Sequence, residues 1–223
     1  MKVEFKDLGI MPYKDCWEYQ QRLFDELLLR RGVVSDDAGT ILFVEHPPVY
    51  TLGKSGNRNN MLVAEPLLRS MGAEFFHIDR GGDVTFHGPG QIVGYPILDL
   101  EHLGIGLRRY IEILEQSIIN TIAHYGLRGE RLEGATGVWL HDEGASWRKI
   151  CAIGVRASHF VTMHGFALNV STDLKWFNMI NPCGFTDKGV TSLERELGRE
   201  VDGAEVRQLL LGHLVELLGA ELR

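Results

Sequence analysis

Cys183 stands in the run Asn181-Pro-Cys-Gly-Phe185. Proline and glycine beside a cysteine favour an exposed turn over a packed core. A thiol so placed is a candidate nucleophile for acyl transfer. It needs a partner that takes its proton or lowers its pKa. Lys149 is one candidate, at the start of the apolar run Lys149-Ile-Cys-Ala-Ile-Gly-Val155. His87 and His164 are the others. Each also has an ordinary reading, as a solvated strand-edge lysine or a satisfied core histidine. Cys151 and Cys16 lie in apolar contexts, where a cysteine is usually an inert small hydrophobe.

A second concentration of chemistry is Arg80-Gly-Gly-Asp-Val-Thr-Phe-His-Gly-Pro-Gly-Gln-Ile-Val-Gly-Tyr-Pro96. Glycine weakens strands and helices, so a core has no use for this density. It implies positive φ, or close approach of a ligand or a second backbone. Arg80 and His87 then lie at the edges of a glycine loop between strands. The segment is neither a P-loop nor a dinucleotide fingerprint, because no Gly-Lys-Ser/Thr ends it and no G-x-G-x-x-G opens a helix. Ser117 and Ser192 lack a nucleophile elbow, and no HExxH metal motif is present. The three cysteines fit neither a zinc spacing nor a disulfide framework.

The elements that must carry these groups are legible in outline. Pro12 can open a helix, with Tyr13, Trp17, Phe24, Leu27 and Leu28 at helical spacing. Residues 41–45 read as a buried strand stopped by His46-Pro47-Pro48, 53–60 as a loop, and 74–79 as a strand feeding the glycine segment. Leu107, Ile111, Leu114, Ile118 and Ile122 form a helical stripe closed by Gly126. Residues 138–140, 149–155 and 160–170 read as antiparallel strands, with a hairpin turn over Arg156 to His159. Thr191 and Glu194 have capping-box spacing, and Asp202 caps a last helix through Leu218. Strands and helices mix without regular alternation. That favours an α+β fold around a mixed, mostly antiparallel sheet flanked by helices.

The chain has 223 residues, 44% hydrophobic and 24% charged, with a net charge of −7. That length suits a single catalytic domain over 1–223. The acidic balance argues against nucleic-acid binding. No apolar run is long enough to span a bilayer, and residues 1–7 read as neither signal nor transit peptide. The expected setting is the cytoplasm, with no membrane partner.

Taken together, several stretches resemble the lipoyl(octanoyl) transferases, relatives of the biotin and lipoate protein ligases. The matching pieces are residues 45–53 (Glu-His-Pro-Pro-Val-Tyr-Thr-Leu-Gly), the RGGDVTFHGPGQ run at 80–91, 149–155, 164–170, Asn181-Pro-Cys-Gly184 and Gly189-Val-Thr-Ser-Leu193. They fall in family order along nearly the whole chain. By this resemblance Cys183 carries the acyl thioester and Lys149 lowers its pKa. Substrate binding falls to Arg80, Gly81, Gly82, Asp83, Val84, Thr85, Phe86 and His87, to Ala152, Ile153 and Gly154, and to Gly165, Phe166 and Ala167.

The implied donor is octanoyl-acyl carrier protein, with the acyl group on its phosphopantetheine arm. The implied acceptors are lysines of lipoyl domains in 2-oxoacid dehydrogenase complexes and the glycine cleavage H protein. No cofactor, ATP or metal is implied, and the enzyme is expected as a monomer. Burying eight carbons contributes at most about 6 kcal/mol to tail binding, at about 0.8 kcal/mol each. Two other readings stand beside this one. An ATP-dependent lipoate or biotin ligase would need a phosphate-facing basic loop. An acyl-binding module would keep the fold with an inert Cys183. Docking of acidic partners to an acidic chain calls for a local basic patch, with Lys54, Arg58, Arg148 and Arg156 as candidates.

Overall fold

Apolar residues run almost without interruption through 38–44, 92–98 and 161–168, the pattern of strands covered on both faces. The computed structural model describes residues 1–30, 32–181 and 188–223. In it these stretches lie at the centre of a large mixed sheet. Its strands are β1 (Lys2–Ile10), β2 (Asp37–Glu45), β6 (Gln91–Leu98), β7 (Glu130–Leu132), β8 (Ala135–Leu140), β9 (Arg148–Ser158), β10 (Val161–Asn169), β11 (Gly189–Val190) and β12 (Glu221–Leu222). The order is β12-β1-β2-β6-β10-β9-β8-β7, with β11 added in parallel beside β9. Pairings from β2 through β7 are antiparallel, as expected. A smaller sheet holds β3 (Val49–Leu52), β4 (Glu74–His77) and β5 (Val84–His87) in the order β4-β3-β5.

Helices α3 (Leu107–Ala123) and α5 (Gly203–Leu218) cover one face of the large sheet. Their stripes pack with Phe43, Ile150, Cys151, Phe166 and Leu168. Helix α1 (Tyr13–Leu29) covers part of the other face, over Leu42, Val44, Val93, Met163 and Ala167. Short α2 (Glu65–Ser70) packs its Leu68 into the core of the small sheet. None of the described helices is long and apolar enough to cross a membrane.

Two local expectations shift. Strand β9 runs on to Ser158, so the hairpin turn is His159-Phe160, with φ of 49° and 64°. Two positive φ values give the tight turn whose twist matches the flanking strands. The cap of α4 (Leu193–Leu197) is Ser192, whose side chain accepts from the Arg195 N–H; Thr191 lies outside the helix. Asp202 caps α5 as expected, accepting from the Ala204 N–H.

Candidate active site

The small sheet and the uncovered part of the large sheet enclose a cavity of about 480 Å³. Backbone contact sets its width. The Gly81 N–H donates to the Val155 carbonyl (2.9 Å), which fastens the glycine segment across β9. On the other side the Lys54 N–H donates to the Arg80 carbonyl (2.9 Å). A Cβ on Gly154 would stand 2.8 Å from the Gly81 oxygen, and one on Gly53 would strike the Gly82 carbonyl. Gly82 itself has φ of +87°, a left-handed conformation open to glycine. Gly53, Gly81 and Gly154 therefore serve backbone-on-backbone packing around the cavity, while Gly88 and Gly94 make room for the Phe86 and Phe166 rings. Arg80 braces the same loop: its buried guanidinium donates to the carbonyls of Thr51 (2.8 Å), Asp83 (2.7 Å) and Gly81 (3.0 Å).

The predicted stretches converge here. Arg80 to Thr85, His87, Lys149, Ala152 to Gly154 and Gly165 to Ala167 all line the cavity. Phe86 does not. Its buried ring stacks on Trp176 (5.3 Å between centroids) and meets Phe177 edge-on, inside the small-sheet core. Alternation explains this, since Phe86 points opposite to Thr85 and His87. The Phe166 ring likewise packs on Phe43.

Lys149 reaches the cavity through a β-bulge. Trp139 pairs with Lys149 and Val138 with Cys151, so Ile150 is an extra residue on β9. A bulge leaves two residues opposite one and resets alternation. Ile150 and Cys151 both enter the α3/α5 core, and Lys149 comes onto the face of Ala152 and Gly154. Its ammonium lies 4.5 Å from the Trp139 ring centroid and donates to the Thr136 carbonyl (3.2 Å). Cys183 lies outside the described residues, and so does its expected meeting with Lys149. Cys151 is fully buried in the opposite core, and burial pushes its thiol far above the ordinary value. Burial pushes Cys16 up to about 12.

Three histidines surround the cavity. His87 lines it, its Nδ1 2.8 Å from Gln91 Oε1, and stacks on Tyr13 (6.0 Å). His46 lies behind, between the Met11 carbonyl and the Tyr95 hydroxyl. Burial lowers His46 to about 4, and burial followed by the neighbouring His46 lowers His87 to about 3. His164 holds Asp79 Oδ1 at 2.9 Å through Nε2, while Asp79 also pairs with Arg156 (2.6 Å). His164 has φ of 61° inside a strand, where a side-chain-bearing residue is strained. Pro96 supplies the reason. It has no N–H for the β6–β10 ladder, whose pairing starts only at Gly94. Thr162 Oγ1 donates to the Pro96 carbonyl instead (2.8 Å). Freed there, the chain turns the His164 ring toward the cavity. Burial lowers His164, and the His164 hydrogen bond holds Asp79 below the usual carboxylate range. Sequence reasoning named His164 but missed Asp79, which no motif marks.

Three of the four docking candidates are engaged within the chain. Arg58 pairs with Glu65, Arg148 with Glu196 and Asp142, and Arg156 with Asp79. Among the described residues no cluster of three or more His, Cys, Asp or Glu could hold a metal ion.

The lipoyl protein ligase A/B catalytic domain model matches residues 12–215. An octanoyltransferase of Bacteroides fragilis (strain YCH46) is 53% identical over 218 residues, 98% of this chain and 99% of the relative. One of Parabacteroides distasonis is 56% identical over 195 residues, 87% of this chain and 88% of the relative. Among solved structures, a bipartite lipoate protein ligase from Thermoplasma acidophilum has a TM-score of 0.73 at 16% identity, covering 100% of this chain and 86% of that one. At that identity the likeness is one of fold. Sequence kinship and cavity thus agree, and the chain belongs to the octanoyltransferase family built on the lipoyl protein ligase A/B catalytic domain.

Proposed function

We propose that the enzyme moves an octanoyl group from the phosphopantetheine thioester of acyl carrier protein to a lysine of lipoyl domains, by way of a thioester on Cys183. One observation carries the reading: a single glycine-walled cavity gathers the RGGDVT segment, Lys149, Ala152 to Gly154 and Gly165 to Ala167. In the first half-reaction the Cys183 sulfur bonds to the acyl carbon, the bond from that carbon to the pantetheine sulfur breaks, and the pantetheine leaves as a thiol with the proton that Cys183 gave up. In the second, an amine nitrogen bonds to the acyl carbon, the bond from that carbon to the Cys183 sulfur breaks, and the proton that nitrogen gives up ends on the Cys183 sulfur. Lys149, whose Nζ lies over the Trp139 ring and donates to the Thr136 carbonyl, is the group we assign to stabilise a thiolate, by its charge as an ammonium. The donor thioester is already activated and an amide is the more stable product, so the reaction takes no nucleotide.

Intact-protein mass spectrometry after incubation with octanoyl-acyl carrier protein tests this. The expected result is one octanoyl adduct, absent in Cys183→Ala and discharged onto an added lipoyl domain without ATP. A full adduct on Cys183→Ala, or modification that needs ATP and free octanoate, refutes it. The second of these outcomes would favour a ligase.

A further inference from the structure

The hydrogen bonds behind His87 have only one polarity. Asn169 Nδ2 donates to the Thr191 carbonyl (3.0 Å), and Gln91 Nε2 donates to the Phe86 carbonyl (3.2 Å). A backbone carbonyl can only accept, so both amides are fixed in orientation. Gln91 Nε2 also donates to Asn169 Oδ1 (2.8 Å), consistent with both assignments. Gln91 then presents its oxygen to His87, and His87 Nδ1 must carry the hydrogen. On a neutral ring this leaves Nε2 with a bare lone pair. It has no hydrogen-bond partner among the described residues, and the ring lines the cavity. The relay ends beside the lysine strand, because the Thr191 N–H donates to the Lys149 carbonyl (3.0 Å).

A fixed acceptor excludes several tasks. It cannot stabilise an oxyanion, which needs donors. It cannot protonate a leaving thiolate. The octanoyl tail offers it nothing. Burial also keeps it too weakly basic to take a proton from an ordinary thiol. Of the groups the reaction brings in, an attacking amine carries N–H hydrogens that need an acceptor while its lone pair faces the acyl carbon. In the reading above Lys149 is the ammonium that stabilises the thiolate, and in that role it offers no lone pair. We infer that His87 Nε2 accepts a hydrogen bond from the incoming lysine amine and aims its lone pair at the acyl-enzyme carbonyl. Gln91, Asn169 and the Thr191 carbonyl act as positioning groups that fix its tautomer. This inference rests on the acyl-transfer reading above.

The test starts from preformed octanoyl-enzyme and compares two nucleophiles in single turnover, read by quenched mass spectrometry. One is a lipoyl domain, which attacks through nitrogen. The other is 2-mercaptoethanol, whose thiolate brings no N–H. His87→Phe keeps a flat ring over Tyr13 and removes the lone pair. The ratio of aminolysis to thiolysis should fall about tenfold or more, the worth of one hydrogen bond. Gln91→Leu, which frees the tautomer, should lower the same ratio by a smaller factor. An unchanged ratio in both variants overturns the inference alone. So does a His87→Phe defect confined to acyl-enzyme formation from the pantetheine donor, since Nε2 would then read an amide of that arm. Failure of the unsubstituted protein to form an acyl-enzyme would overturn the transfer reading itself.

Discussion

Lowering the pH from 7.5 to 5 should remove about 4 kcal/mol of stability through two buried imidazoles alone. His46 is fully buried and His87 nearly so. The fold holds them at about 4 and about 3, against about 6.5 in an unfolded chain. Below pH 6.5 the unfolded state therefore binds protons that the folded state refuses, and stability falls with pH. For each histidine the linkage integral over this window is about 2 kcal/mol. His164 is lowered in the same direction and adds to the loss. Asp79 and Glu196, also lowered, release their contributions only at more acidic pH, so they do not confuse the window. The sum is a large share of the 5–15 kcal/mol typical of folded domains. Urea unfolding at pH 7.5, 6.5, 5.7 and 5, followed by tryptophan fluorescence and far-ultraviolet circular dichroism, gives the curve. His46→Gln and His87→Phe should each take about 2 kcal/mol out of the difference between pH 7.5 and 5, whatever they do to absolute stability. A change below about 1 kcal/mol in the unsubstituted protein would refute the reasoning, because the imidazoles would then be solvated or charged in the fold.

Lys149→Met should leave the fold intact and slow acyl-enzyme formation by about a hundredfold or more, the usual worth of a proton-handling or charge partner; a loss under threefold in single-turnover mass spectrometry would remove Lys149 from the chemistry. Gly165→Ala and Ala167→Leu should separate fold from specificity. A Cβ on Gly165 would collide with the Gly94 carbonyl and approach Pro96 Cδ to 2.8 Å, so that variant should lose stability at any chain length. Ala167 already directs a side chain along the cavity wall, so enlarging it should move the preferred donor from octanoyl to a shorter acyl group, measured as kcat/KM across a thioester series.

The sequence displayed its periodicities faithfully. The α1 stripe, the α3 stripe from Ile111 to Ile122, the apolar central strands and the Asp202 cap needed nothing beyond side-chain spacing, whereas Leu107, at the first turn of α3, is exposed. Much of the cavity was also readable, because glycines cluster where backbones must touch. Phe86 was legible in principle: it alternates with Thr85 and His87, both of which line the cavity. Pairing register was not legible. The extra residue at Ile150 decides which way Lys149 points, and it exists only relative to β8. The turn of His164 depends on Pro96 in a neighbouring strand, 68 positions away (164 − 96). Asp79 became part of the site only through that turn. The meeting of Lys149 with Cys183 remains an expectation of the sequence.

The Gly81–Val155 hydrogen bond and the glycine-on-glycine contacts have a consequence for how such an enzyme can change. A cavity walled by side chains widens when a residue is trimmed. Here the gap between the two sheets is already at the limit of backbone contact, with no side chain left to trim at Gly53, Gly81, Gly82 or Gly154. A bulkier substrate cannot be admitted by point substitution at these positions: a Cβ on Gly154 would meet the Gly81 carbonyl across the gap at 2.8 Å, and one on Gly82 would strain a left-handed backbone. New substrate range must come from the lining positions that carry a side chain, Ala152, Ile153 and Ala167 among them, or from an altered length in the glycine segment. Selection for a different acyl group would therefore leave its mark on the side chains of the wall or on the length of the glycine segment, and not on the identity of its glycines.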